Sequence, residues 1–239
     1  MDNERRLAER GESFLRDIGL SLPEFLGLMG KYKSHVLNLG EDQYKKFAEI
    51  YKKIEDKDYE EKEKGKLLEE LTYVLFQKGY PTLVECRKNC RTSTNEIDLQ
   101  LGWTEEARVI GIQNAFSFLE DFFICECKNY EKKVDVTYVG KFYSLLSVTR
   151  TNIGIMIAWD GITGRSSWND SKGLIKKIAL KEKIYILSID KKDLEKIYNK
   201  KSNIFSILRD KYLALKNEID YSKYIEKHEA EELMKEHSN

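Results

Sequence analysis

The chain has 239 residues, enough for one well-buried domain with appendages. Its 34% of charged residues exceeds the usual quarter or so. The 41 basic and 41 acidic side chains cancel, so net charge gives no support to nucleic-acid binding and any basic surface has to be local.

Residues 1–57 read as a helical N-terminal extension. In "SLPEFLGLMGKYKSHVL", Ser21, Pro23 and Glu24 form a capping-box start. "EDQYKKFAEIYKKI" spaces Tyr44, Phe47, Ile50, Tyr51 and Ile54 as one helical face. This segment carries no recognisable chemistry and is expected to be structural or partner-binding. "DYEEKEKGKLLEELTYVLFQKGYP" predicts a further helix, capped through Asp58 and Glu61, with an apolar stripe of Leu67, Leu68, Leu71, Val74 and Leu75. Glu69 and Glu70 flank that stripe.

A strand-rich block follows. "YPTLVECRKN" predicts a strand, and "NEIDLQLGW" alternates Ile97, Leu99 and Leu101 against Glu96, Asp98 and Gln100. Within residues 102–121, "ARVIGIQ" is expected to add a short strand. "FFICECK" predicts a strand. "DVTYVGKFYSLLSVT" predicts a helix, with Val136, Val139, Phe142, Tyr143 and Leu146 in phase. "IGIMIAW" and "IYILSID" are apolar strands of the buried type. Helices are predicted at "SKGLIKKIALKEK" and "KKDLEKIYNK". The order describes an α/β protein, a mixed β-sheet flanked by helices over residues 58–198. Residues 199–239 are expected to form a charged helical C-terminal tail for docking a partner.

The chemistry concentrates at one strand end. On "FFICECK", Glu126 and Lys128 share a face and Cys125 and Cys127 take the other. If the neighbouring strand lies alongside, Asp98 joins them. Two carboxylates at close range repel unless a cation lies between them, and their oxygens suit Mg²⁺ or Mn²⁺. A lysine beside such an ion orients water or meets charge growing on a phosphate. Glu69, on the preceding helix, would add a carboxylate. The histidines, His35, His228 and His237, all lie in the flanks, which argues against a Ser-His or Cys-His triad in the centre.

"NEIDLQL…FFICECK" resembles the D-(x)n-E-x-K signature of the PD-(D/E)xK nucleases. "GKLLEELTYVLFQKGY" before it and "IGIMIAWDGITGRSSWNDSKGLIKKIAL" after it are similar to the Mrr-like, restriction-endonuclease-type branch over about residues 65–190. The resemblance implies a restriction-endonuclease-like fold and a Mg²⁺-dependent endonuclease acting on DNA rather than RNA, in restriction or defence against foreign DNA. It implies that Asp98 and Glu126 bind the metal, that Lys128 serves the water or the scissile phosphate, and that Glu69 assists. The helical extensions would serve a homodimer or a partner protein.

Blander readings stand beside these. Glu126 and Lys128 also fit a surface ion pair, and Glu70 competes with Glu69. Lys132, Lys133, Lys141 and Arg150 fit either a solvated face or contacts to a nucleic-acid backbone. "GITGRSS" is either a plain turn or a loop that brings Arg165, Ser166 and Ser167 to a phosphate. Cys86, Cys90, Cys125 and Cys127 have atypical spacing for zinc. The charged start "MDNERRLAERGESF" and the lack of a long apolar run predict a cytoplasmic chain with reduced thiols and no membrane partner. The functional alternatives are a catalytically inactive nucleic-acid-binding or scaffolding subunit of the same fold, and an unrelated α/β interaction protein.

Overall fold

The computed structural model describes residues 2–31, 37–91, 96–109, 111–129, 132–164 and 170–217. Four helices come first: α1 (Asp2–Asp17), α2 (Leu22–Lys31), α3 (Glu41–Glu55) and α4 (Glu61–Tyr73), the last running on as a π-helical turn over Val74–Lys78. Then follow β1 (Val84–Arg91), β2 (Glu96–Trp103), α5 (Glu105–Val109), α6 (Ile112–Ala115), β3 (Phe122–Lys128), α7 (Val136–Thr149), β4 (Ile153–Ala158), α8 (Asp170–Glu182), β5 (Tyr185–Ile189), α9 (Lys191–Tyr198) and α10 (Ile204–Asn217).

The five strands form one mixed sheet in the order β1-β2-β3-β4-β5. β1, β2 and β3 are antiparallel neighbours, whereas β3, β4 and β5 run parallel, joined by helical crossovers through α7 and α8. Alternation on β3 and β4 feeds two apolar layers. Cys125, Cys127, Ile155 and Ile157 enter one with α3, α4, α9 and α10; Ile124, Met156 and Ala158 enter the other with α7 and α8. Close approach of α7 to the sheet depends on Gly154, where an added Cβ would lie 2.6 Å from Leu146 Cδ1 and 2.7 Å from Phe142 Cε1.

Several expectations change. "ARVIGIQ" is not a strand: α5 and α6 occupy it. Thr104 caps α5, its Oγ1 accepting from the Ala107 N–H at 3.1 Å, with Glu105 and Glu106 in the first turn favouring the helix N-terminus. The Ser21–Glu24 capping box is present, with Ser21 N–H donating to Glu24 at 2.8 Å and Glu24 N–H to Ser21 Oγ at 3.4 Å. The Asp58–Glu61 box is not, because Glu60 holds the N-cap position of α4 without a side-chain cap bond. Ile97 packs with Ile124 in the α7/α8 layer, apart from Leu99 and Leu101.

The boundaries at 57 and 198 do not follow the core. Phe47, Ile50, Tyr51 and Ile54 of α3, and Ile204, Phe205, Ile207 and Leu208 of α10, are buried in the same cluster as Leu68, Leu71 and Leu99. α10 is therefore core structure, not a tail. Asp193 of α9 fastens it: its side chain is 7% exposed and accepts from Lys211 of α10 at 2.7 Å and from Lys196 at 3.0 Å. No helix among the described residues is long and apolar enough to cross a membrane.

Candidate active site

β2 and β3 pair antiparallel from Gly102↔Phe122 to Leu99↔Cys125, so Asp98 and Glu126 each adjoin the last paired residues of their strands. The charge of Asp98 acts on the Glu126 carboxyl, so the two carboxylates lie within electrostatic reach. Here the ladder changes character. Asp98 Oδ2 accepts the backbone N–H of Cys127 at 2.7 Å, so the carboxylate takes a donor on the partner strand and is anchored against it. Below this point β3 continues with β4, pairing Glu126↔Met156 and Lys128↔Ala158. The cluster thus sits where the antiparallel half of the sheet meets the parallel half.

Glu126 is the buried member. Its side chain is 16% exposed, and Oε1 is ion-paired with the Lys128 ammonium, itself 20% exposed. Oε2 is buried and lacks a hydrogen-bond partner among the described residues. The carboxyl is pushed above its ordinary value of 4.5, first by burial and then by the charge of Asp98. The Lys128 ammonium opposes that rise, and the Glu69 charge adds to it. Asp98, Lys128 and Glu69 therefore all lie within electrostatic reach of Glu126.

The two adjacent glutamates of α4 separate by direction. Glu70 Oε1 turns to Lys46 of α3 at 2.9 Å, whereas Glu69 acts on Glu126. One turn past Glu69, Tyr73 carries the Lys88 ammonium 3.6 Å from its ring centroid, a cation at the β1 rim that periodicity alone did not reveal. Thr72 was equally inconspicuous: its Oγ1 donates to the Leu68 carbonyl at 2.7 Å and lies 3.3 Å from Cys127 Sγ, securing α4 to the back of β3.

The cysteines pack as apolar groups. Burial pushes the Cys86 thiol up to about 12 and holds Cys125 protonated. Among the proposed nucleic-acid contacts, Lys132 and Lys133 are exposed beside the Val134–Ile162 bridge, which extends the β3–β4 edge. Lys141 is exposed on α7, 5.4 Å from the Tyr138 ring centroid. Arg150 is exposed just past the end of α7. Arg165, Ser166 and Ser167 lie outside the described residues, as do His35 and residues 218–239.

The described side chains fit a cation in one specific way. Glu126 presents a buried oxygen with no donor among the described residues, within reach of the charge of a second carboxylate, Asp98. No group of three or more His, Cys, Asp or Glu side chains suited to a metal ion occurs among the described residues. A two-carboxylate set suits Mg²⁺, which keeps several waters and is commonly held by one or two carboxylates plus substrate phosphate. No protein-family model matches the chain, and no curated protein matches it.

Proposed function

We propose that the chain is a restriction-endonuclease-like, metal-dependent nuclease that hydrolyses phosphodiester bonds of DNA, in restriction or defence. The observation that carries this reading is the buried, partnerless Oε2 of Glu126, within reach of the Asp98 charge and beside Lys128 at a strand end. A folded chain retains an unsatisfied buried carboxylate oxygen at a cost of about 1–3 kcal/mol unless something else binds it. Asp98 and Glu126 would hold Mg²⁺, or Mn²⁺ in its place, and the ion would supply Lewis-acid stabilisation of phosphoryl charge and a water of lowered pKa. The Cys127 N–H fixes the orientation of Asp98. Lys128 exchanges its bond with Glu126 for the attacking water or a phosphate oxygen. Glu69 adds negative potential that favours a cation over a bare carboxylate pair.

The direct Glu126–Lys128 ion pair favours a second reading, in which the lysine replaces the cation and the chain is a catalytically inactive nucleic-acid-binding or scaffolding subunit. Cleavage of supercoiled and linear DNA separates the two, with Mg²⁺, Mn²⁺ or EDTA and the native chain beside Asp98→Ala and Lys128→Ala. Metal-dependent nicking lost in both variants is the expected result. No cleavage of DNA or RNA by the native chain, with no calorimetric Mn²⁺ binding, rejects the nuclease in favour of the scaffold. Activity that survives both substitutions rejects this site.

A further inference from the structure

Immediately beyond Lys128 lies a cleft of about 380 Å³, within the size range of ligand sites. Asn129 forms one wall, and Trp159 another; the backbone N–H of Trp159 donates to the Lys128 carbonyl at 3.2 Å. Lys57 and Tyr59 reach the cleft from the α3–α4 connection, and Lys64 from the second turn of α4. Lys191 also lines it but is paired with Glu55 at 2.7 Å. Lys57 and Lys64 have no ion-pair partner among the described residues. Glu61 and Asp160 supply acceptor oxygens on the same walls.

Gly65 connects this cleft to the acidic cluster. Glu61, Gly65 and Glu69 recur every fourth residue and so share one face of α4. Glu61 lines the cleft, Glu69 acts on Glu126, and Gly65 lies between them. A Cβ built on Gly65 meets nothing within 4 Å. Glycine in a helix interior is less stable than alanine, and packing gives no reason for it here, unlike Gly154.

We propose that the cleft seats one nucleotide of the nucleic-acid strand, next to the phosphate at the acidic cluster. Lys57 and Lys64 take its backbone phosphate, while Asn129, Glu61 and Asp160 hydrogen-bond its base. The bare backbone at Gly65 gives the strand clearance between cleft and cluster. The proposal rests on the nuclease reading and adds to it a subsite and a clearance residue.

The test measures anisotropy of a short fluorescein-labelled oligonucleotide, single-stranded and duplex, with the full chain in CaCl₂. The melting temperature of each variant is read in parallel. Gly65→Ala is expected to raise Tm by about 2–4 °C and to weaken binding several-fold. Lys64→Gln is expected to weaken binding and lower the salt slope by about 1. Gly11→Ala, in exposed α1 and with equally open space, serves as the control and is expected to leave binding unchanged. Native-level binding by both Gly65→Ala and Lys64→Gln overturns the subsite and leaves the nuclease reading standing. No binding of either oligonucleotide by the native chain overturns both. A Gly65→Ala variant that loses Tm and binding together also overturns it, because the glycine then serves the fold.

Discussion

Replacing Glu126 with glutamine should stabilise the fold while removing the proposed activity. The carboxylate is 16% exposed, leaves Oε2 unsatisfied, and faces the charges of Asp98 and Glu69. Lys128 opposes these effects, yet the net shift is upward, so the ionised form is disfavoured even with its lysine in place. Glutamine keeps the shape and removes the charge. Relief of one buried unsatisfied charged acceptor is of order 1–3 kcal/mol, less the lost ion pair, which leaves about 1 kcal/mol. For a chain of this size that is about 2–4 °C in Tm. The pH dependence carries the same sign. A carboxyl whose native pKa lies above its ordinary 4.5 binds its proton more tightly folded than unfolded, so its contribution falls as pH rises from 4.5 through the native value. Chemical denaturation from pH 4 to 8 should show that decline in the native chain and a flatter profile in Glu126→Gln. Added MgCl₂ should stabilise the native chain at pH 7 by mass action and leave the variant unmoved. A variant that melts several degrees lower, and whose stability still responds to Mg²⁺, would refute the reasoning: Glu126 would then be a satisfied structural partner of Lys128.

The two glutamates of α4 should behave oppositely in the plasmid-nicking assay. Glu69→Gln is expected to lower cleavage by about 10–100-fold, as loss of a supporting group beside metal ligands does. Glu70→Gln should leave cleavage intact and cost under about 1 kcal/mol in urea, since its pair with Lys46 is half-exposed, at 44% and 51%. Asp193→Asn should lower stability at pH 7 by about 1–2 kcal/mol by loosening α10. Burial alone would raise the Asp193 pKa, but Lys211 and Lys196 outweigh it and the net direction is down, so its stabilisation is complete above the ordinary 3.8 and disappears as pH falls through the native value. Urea titrations of the native chain and Asp193→Asn should therefore converge at low pH; a gap that stays constant with pH would reject the ion-pair account.

How much of this was legible in the sequence depends on the range over which each feature is decided. Strand alternation is local, so the existence of β2 and β3 and the facing of Glu126 and Lys128 against Cys125 and Cys127 could be read directly, although Ile97 left the face expected for it with Leu99 and Leu101. The buried runs of β4 and β5 were equally plain. The approach of Asp98 to Glu126 depends on pairing between strands separated by residues 104–121, and no local period encodes it. In that excursion the β-branched content of "ARVIGIQ" pointed to strand, while the cap at Thr104 and the paired Glu105 and Glu106 were the better signal. Charge misled in a different way at the C-terminus. The basic and acidic residues after 198 hid the spacing of Ile204, Phe205, Ile207 and Leu208, and that spacing is what buries α10. Choosing between Glu69 and Glu70 required the rotation of α4, which is settled by packing on α3, where Lys46 takes Glu70. The residues that needed the structure are thus those whose partner lies on another element. The acidic cluster is one such case: each carboxylate is ordinary in its own segment, and only the fold leaves Glu126 with one buried oxygen that lacks a donor.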